Sequence, residues 1–157
     1  MRVNALTTGS FGNCYIVEYF SRILDNQREY LLFDCGITYS SLLQYLEELN
    51  IVIEQVKYLI ITHEHNDHIK GIETLLKRNE HIQIITSKSV NDILFLENFP
   101  NIVHKISYSQ RLSFGNFDVF SYEVSHDCRE AMNFVLIDKI TNKRICFMND
   151  LGEFNDF

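Results

Sequence analysis

The sequence predicts an α/β fold in a single domain, residues 1–157, on three observations. Short β-rich runs alternate with amphipathic helical stretches as far as Pro100. One of those runs, Lys57 to Thr62, is apolar over the length of a strand, the mark of a central strand covered on both faces. After Pro100 the texture becomes β alone.

Taken in order, Arg2 to Leu6 reads as a first strand, and Cys14 to Phe20 and Tyr30 to Phe33 as the next two, with the polar Ser21 to Arg28 region as the turn between them. From Ser40 to Leu49 the residues Leu42, Leu43, Tyr45, Leu46 and Leu49 share one helical stripe. The apolar strand at Lys57 to Thr62 follows, and then a second amphipathic helix from about His68 to Arg78, with Ile69, Ile72, Leu75 and Leu76 facing inward. Ile82 to Thr86 is a short buried strand, and Ser87 caps a helix reaching about Glu97. Val103 to Tyr108, Arg111 to Phe114 and Phe117 to Val124 read as strands, the last two joined by a tight Gly115-Asn116 turn. Met132 to Ile137 and Arg144 to Asn149 form a further pair. The expected layout is one mixed sheet from the strands within residues 2–33 and 57–86, with the strands after residue 102 starting a second sheet.

Composition supports a soluble globular chain: 157 residues, 46% hydrophobic and 22% charged. A domain of this size buries roughly two-thirds of its unfolded surface, enough for a core without disulfides. The formal charge of −7 disfavours long-range attraction to a phosphate backbone. No basic run offsets it, since Lys70, Lys77 and Arg78 read as the solvated face of one helix. Cys14, Cys35, Cys128 and Cys146 lie far apart and form no metal or disulfide pattern, so they are expected as free thiols in a reducing, cytoplasmic setting. No stretch has transmembrane length and Met1 to Asn4 does not open a signal peptide, so no membrane partner is expected.

The chemistry concentrates in His63-Glu64-His65-Asn66-Asp67-His68, directly after the buried strand. In extended backbone, residues two apart point the same way, so His63 and His65 can grip one cation. The chain then turns into a helix, which swings Asp67 and His68 toward a second position. Imidazole with carboxylate suits zinc, and also manganese or iron. Two such cations can share a water and lower its pKa. A bland reading, four polar residues in a strand-to-helix loop with Asp67 as the cap, explains the pattern poorly.

The run Thr62 to Ile72, with its THxHxDHxxG pattern, resembles the signature of the metallo-β-lactamase superfamily. Gly9 to Tyr15, Phe33 to Gly36, Ser125-His126-Asp127 and Asn149 to Gly152 resemble, in order, the GSxGN loop, DxG, SHD and TDxG of its YycJ/WalJ-like branch. The resemblance implies a metallo-β-lactamase-type αββα sandwich. It implies two divalent metal ions, the first held by His63, His65 and His126, the second by Asp67 and His68, with Asp150 bridging. Asp34 would organise the motif loop by hydrogen bonds, and Asp67 would be catalytic, orienting a metal-bound hydroxide. Without the resemblance, His126 and Asp150 carry almost no signal. Asp127 and Cys128 read as non-ligands, and His81 and His104 as structural or surface histidines.

The superfamily pattern ends on a further histidine beyond the Asp motif, and this sequence has none there. The expectation is therefore the first half of the sandwich plus the start of the second, short at the C-terminus. Three explanations are open for this: a fragment or early-terminating product, favoured here, completion by another subunit, or a weak, partly water-filled second metal site. Self-association or a complementing C-terminal segment is expected with it. The function expected is a metal-dependent phosphodiesterase of nuclease or cyclic-nucleotide type, the acidic charge favouring a small phosphodiester and nucleic acid remaining a possible partner. Hydrolysis of a thioester, lactone or other carbonyl substrate, and a non-catalytic metal-binding or partner-binding remnant, are the alternatives.

Overall fold

The computed structural model describes residues 1–20 and 27–148. Within them β1 (Arg2–Thr7), β2 (Cys14–Phe20) and β3 (Arg28–Phe33) form an antiparallel meander. The expected turn at Ser21 to Arg28 lies largely outside the described residues. Helix α1 (Tyr39–Glu48) follows, its N-terminus capped by Thr38 Oγ1, which accepts from the Ser41 amide at 3.2 Å. β4 (Val56–Ile60) and β5 (Gln83–Thr86) then add in parallel to β3.

Residues on these central strands alternate between two cores. Ile16, Leu32, Leu59 and Ile84 face one side, where Leu42 and Leu46 of α1 pack. Val17, Leu31, Phe33, Ile60 and Ile85 face the other. Strand β4 is thus covered on both faces, as its apolar run predicts.

Two helices differ from the expectation. The helix from His68 to Arg78 is in fact two, α2 (Asn66–Ile69) and α3 (Ile72–Arg78), broken at Gly71. The loop leaving β3 runs against that break: the Gly71 amide donates to Cys35 O at 2.8 Å, and a Cβ at Gly71 would lie 2.1 Å from Ile37 O. Ile72, Leu75 and Leu76 are nevertheless buried, with Ile69 packed at the edge of the same core. Helix α4 (Lys88–Ile93), capped by Ser87, stops short of Glu97, where Phe95 turns left-handed at φ 50° and a 3₁₀ turn follows.

One strand changes sheets relative to the expectation. β6 (Val103–Lys105) pairs in parallel with β5 and closes the first sheet, in the order β1-β2-β3-β4-β5-β6. The helix after β5 carries the chain back to the starting end, so the next strand runs parallel beside it. Asn101 fixes that return by donating from Nδ2 to Asn79 O at 3.0 Å and Ile82 O at 2.9 Å. The second sheet begins only at β7 (Arg111–Phe114) and continues through β8 (Phe117–Glu123), β9 (Met132–Asp138) and β10 (Arg144–Phe147). It is antiparallel throughout, in the order β10-β9-β8-β7.

The two sheets meet across an aromatic layer in which Phe33 stacks on Phe147 at 3.6 Å between centroids and Tyr58 meets Phe117 edge-on at 5.2 Å. Such pairs add about 0.5–1.5 kcal/mol each beyond the burial itself. Among the described residues the helices pack on the first sheet and no helix covers the outer face of the second. All four cysteines are free, and among the described residues no helix is long and apolar enough to cross a membrane.

Candidate metal centre

Four loops build the site: one before β2, one after β3, the motif loop after β4, and the loop between β8 and β9 that brings His126. The first three interlock by backbone bonds outside any strand. Asn13 N donates to Asp67 O at 2.6 Å, Gly36 N to Asn13 O at 2.9 Å, and Cys35 N to His68 O at 2.8 Å. The approach is so close that a Cβ at Gly36 would lie 1.6 Å from Asp67 O, which restricts that position to glycine.

Asp34 lies at the centre, fully buried, in a left-handed conformation at φ 54°. Its Oδ1 accepts from the Thr62 amide at 2.8 Å; its Oδ2 accepts from Thr62 Oγ1 at 2.9 Å and from His68 Nδ1 at 2.8 Å. A carboxylate can only accept, so these contacts assign protons. The single hydroxyl hydrogen of Thr62 is committed to Asp34. Thr62 Oγ1 must then accept from His63 Nδ1, 3.0 Å away. Each ring with Nδ1 protonated carries its lone pair on Nε2, the form that binds a cation. One buried carboxylate therefore sets the tautomers of both His63 and His68, a role the sequence points to only as loop organisation.

His63, His65 and His126 each bring one nitrogen to a common point, all within 4.8 Å of one another. The extended backbone that places His63 and His65 on one side is present, and His65 is the residue before α2. His126 arrives from the loop between β8 and β9, which is tied to the motif loop. Arg129 N donates to Glu64 Oε1 at 3.1 Å, and Met132 N to Thr62 O at 3.3 Å. His65 Nδ1 and His126 Nε2 stand 3.1 Å apart. Two nitrogens on a tetrahedral zinc ion, each about 2.0–2.1 Å from it, would be about 3.4 Å apart. The donor set suits one such ion, and the spacing of His65 and His126 is close to that value. Asp127, with its side chain 84% exposed, brings Oδ1 to 3.3 Å from His126 Nε2.

Asp67 and His68 stand differently. His68 is fully buried, and its Nε2 lies 3.6 Å from Asp67 Oδ2. Both atoms already meet Asn13: its Nδ2 is 3.0 Å from His68 Nε2 and donates to Asp67 Oδ2 at 3.2 Å. Asp150, expected to bridge two ions, lies outside the described residues. No helix-capping bond from a side chain forms at the start of α2, so Asp67 is not a cap.

Away from this centre, His81 is exposed, and His104 bonds Gln83 Oε1 at 2.7 Å, with burial holding its pKa below the ordinary histidine value. Beneath the site the neighbouring Cys35 thiol, followed by burial and the charge of Asp34, pushes the Cys14 thiol pKa well up, so it stays a neutral packing group. Sequence reasoning assigned no role to Thr62, Glu64 or Asn13. Only the quoted motif segments containing them gave any signal.

A model of the metallo-beta-lactamase superfamily matches residues 7–111, about two-thirds of the chain and all of the motif loop. This chain belongs to the metallo-β-lactamase superfamily. Among curated members, it is 27% identical over 158 residues to exodeoxyribonuclease YycJ of Bacillus anthracis, covering 99% of this chain and 56% of that protein. It is 30% identical over 125 residues to ribonuclease Z of Pyrococcus horikoshii, covering 71% of this chain and 39% of that protein. The superfamily fold is seen also in the crystal structure of YhfI from Bacillus subtilis, with a TM-score of 0.72 at 18% identity over 98% of this chain and 63% of that one. The chain thus spans little more than half the length of the YycJ and WalJ exonucleases it matches. Superfamily membership implies divalent metal ions, and the cluster of His63, His65 and His126 is a centre suited to hold one.

Proposed function

We propose that this chain forms the catalytic core of a metal-dependent phosphodiesterase acting on nucleic acid, with His63, His65 and His126 holding the first cation. The observation that carries the proposal is the convergence of those three imidazoles, with the His63 proton assigned by Asp34 through Thr62. A divalent cation held there, zinc first and manganese or iron next, would supply Lewis acidity toward water and a phosphoryl oxygen. Asp34 keeps the ring nitrogens of His63 and His68 in the binding tautomer. Asp67, through the carboxylate oxygen that Asn13 does not hold, would orient the attacking water and accept its proton. Asp67, His68 and Asp150 are the proposed ligands of a second cation.

The nucleic-acid form draws support from the relatives named exodeoxyribonuclease and ribonuclease Z. It draws support also from Phe11, 91% exposed in the loop that delivers Asn13 to Asp67. An exposed aromatic ring beside a phosphodiester site is suited to stack on a base. We further propose that the domain is completed by a second copy or another segment. Strand β10 lies at a sheet edge, with Met148 59% exposed just past its end. A stable, non-aggregating monomer in light scattering would count against that completion.

The test of function is hydrolysis of bis-p-nitrophenyl phosphate with and without added manganese or zinc. Turnover is expected only with metal, and Asp67→Asn is expected to abolish it while leaving the first cation bound. Full activity in Asp67→Asn, or hydrolysis indifferent to metal, would overturn the reading. Cleavage of a thioester or lactone in place of the phosphodiester would move it to the carbonyl alternative.

A further inference from the structure

Asn13 lies 8% exposed between Gly9 and the pair Asp67 and His68. The orientation of its amide is not arbitrary. The Gly9 amide donates to Asn13 Oδ1 at 3.0 Å, so Oδ1 faces Gly9 and Nδ2 faces the site. Three acceptors lie within reach of the two hydrogens on Nδ2, and His68 Nε2 at 3.0 Å and Asp67 Oδ2 at 3.2 Å are nearer than Gly9 O at 3.5 Å.

An imidazole nitrogen has one lone pair. His68 Nδ1 is committed to Asp34 at 2.8 Å, so Nε2 is the atom through which His68 could bind a cation. The amide hydrogen of Asn13 and a cation would use that same lone pair and cannot both have it. Turning the amide over would bring its oxygen to the pair, but would set Nδ2 against the Gly9 amide, donor against donor.

We propose that Asn13 governs the second cation: its amide competes for His68 Nε2 and Asp67 Oδ2, so that the second cation binds more weakly than the first and only after Asn13 has moved. The inference rests on the proposed function, in which Asp67 and His68 are second-cation ligands. It assigns Asn13 a role in how many cations the site holds at a given concentration.

The experiment titrates zinc into the metal-stripped 157-residue chain by calorimetry, with elemental analysis of the dialysed protein, for the wild type, Asn13→Ala, Asn13→Ser and Asn13→Asp. Thermal unfolding checks that each variant is folded, and Asn13→Ser replaces Asn13→Ala should the latter fail. The first equivalent, at His63, His65 and His126, is expected unchanged in all. The second is expected to tighten by about tenfold or more in Asn13→Ala, the scale of a lost hydrogen bond to a charged group. Asn13→Asp keeps the shape and the Gly9 bond while replacing the competitor by a carboxylate, and is expected to bind the second equivalent tightest. Two equally tight equivalents in the wild type would overturn the proposal. So would a second equivalent that is unchanged, weakened or undetectable in both Asn13→Ala and Asn13→Asp. Absence of the first equivalent from the wild type would instead sink the proposed function itself.

Discussion

The three-histidine cluster and the Asp67–His68 pair are separated by one residue of sequence, yet the structure treats them in opposite ways. His63, His65 and His126 turn their nitrogens toward one another across a partly open space, with spacing that suits one ion. Asp67 and His68 turn theirs into a side-chain amide, with a buried carboxylate behind. The difference teaches that a ligand motif read as one unit need not act as one. The first half is prepared for a cation, whereas the second is already engaged by its own protein.

The largest expected effect comes from breaking the first group. The double change His63→Ala with His65→Ala removes two of three donors and should lower affinity for the first cation at least about 100-fold, more than the loss of a supporting partner costs. Elemental analysis after reconstitution is the measurement, and metal retained at one equivalent would contradict the assignment.

Asp34 is where the two groups are joined, so Asp34→Ala should damage both. It would leave the Thr62 amide, the Thr62 hydroxyl and His68 Nδ1 buried without an acceptor, and place alanine at φ 54°. A destabilisation of about 3 kcal/mol or more is expected in urea unfolding. Asp34→Asn, tolerant of the left-handed backbone, should recover part of the stability but not the tautomer control, leaving metal affinity reduced by about 10-fold or more.

Phe11 sharpens the comparison from the substrate side. Replacing it by alanine should raise KM for a single-stranded oligonucleotide about fivefold or more, on the scale of one base stacked on an aromatic ring, while KM for bis-p-nitrophenyl phosphate stays unchanged. Equal effects on both substrates would mean that the ring acts on the loop and not on a base.

The smallest effect is remote from both groups and serves as their control. Asp138 accepts from the Ile140 and Thr141 amides at 2.8 and 3.2 Å and from the N-terminal ammonium at 3.2 Å. Burial alone would raise its pKa, but these donors outweigh it and hold the carboxyl below its ordinary value of 3.8. A depressed folded-state pKa gives stability that is present above the unfolded value and lost as pH falls through the folded one. Asp138→Asn should therefore lower Tm modestly at neutral pH, with the gap to wild type closing below about pH 4, and leave metal binding untouched. A gap that persists undiminished in acid would exclude a charge-based role.

The legible part of this molecule is the part written locally. The alternation of His63 and His65, the stripes of Leu42, Leu46, Ile72 and Leu76, and the Ser87 cap follow from backbone periodicity and were open to inspection in the sequence. Membership of a sheet is not local, so Val103 to Lys105 read as the start of a second sheet although it closes the first. His126 was placed with the motif only through family resemblance, because it reaches the cluster from 61 residues away through contacts of Glu64 and Thr62. The engagement of Asn13 was illegible for a similar reason. It depends on three loops meeting at backbone distance, and nothing in a glycine-rich turn announces which carbonyl it will meet.

That meeting has a kinetic signature. The amides of Asn13, Cys35, Gly36 and Gly71 donate to carbonyls of other loops, outside the ladders of either sheet. With Gly36 seated against Asp67 and Gly71 against Ile37, none of these segments can lift without disturbing its neighbour. In deuterated solvent the four amides should exchange slowly and with one common opening free energy, as strand amides do, whereas the amides of an ordinary surface loop would each exchange quickly and on their own schedule.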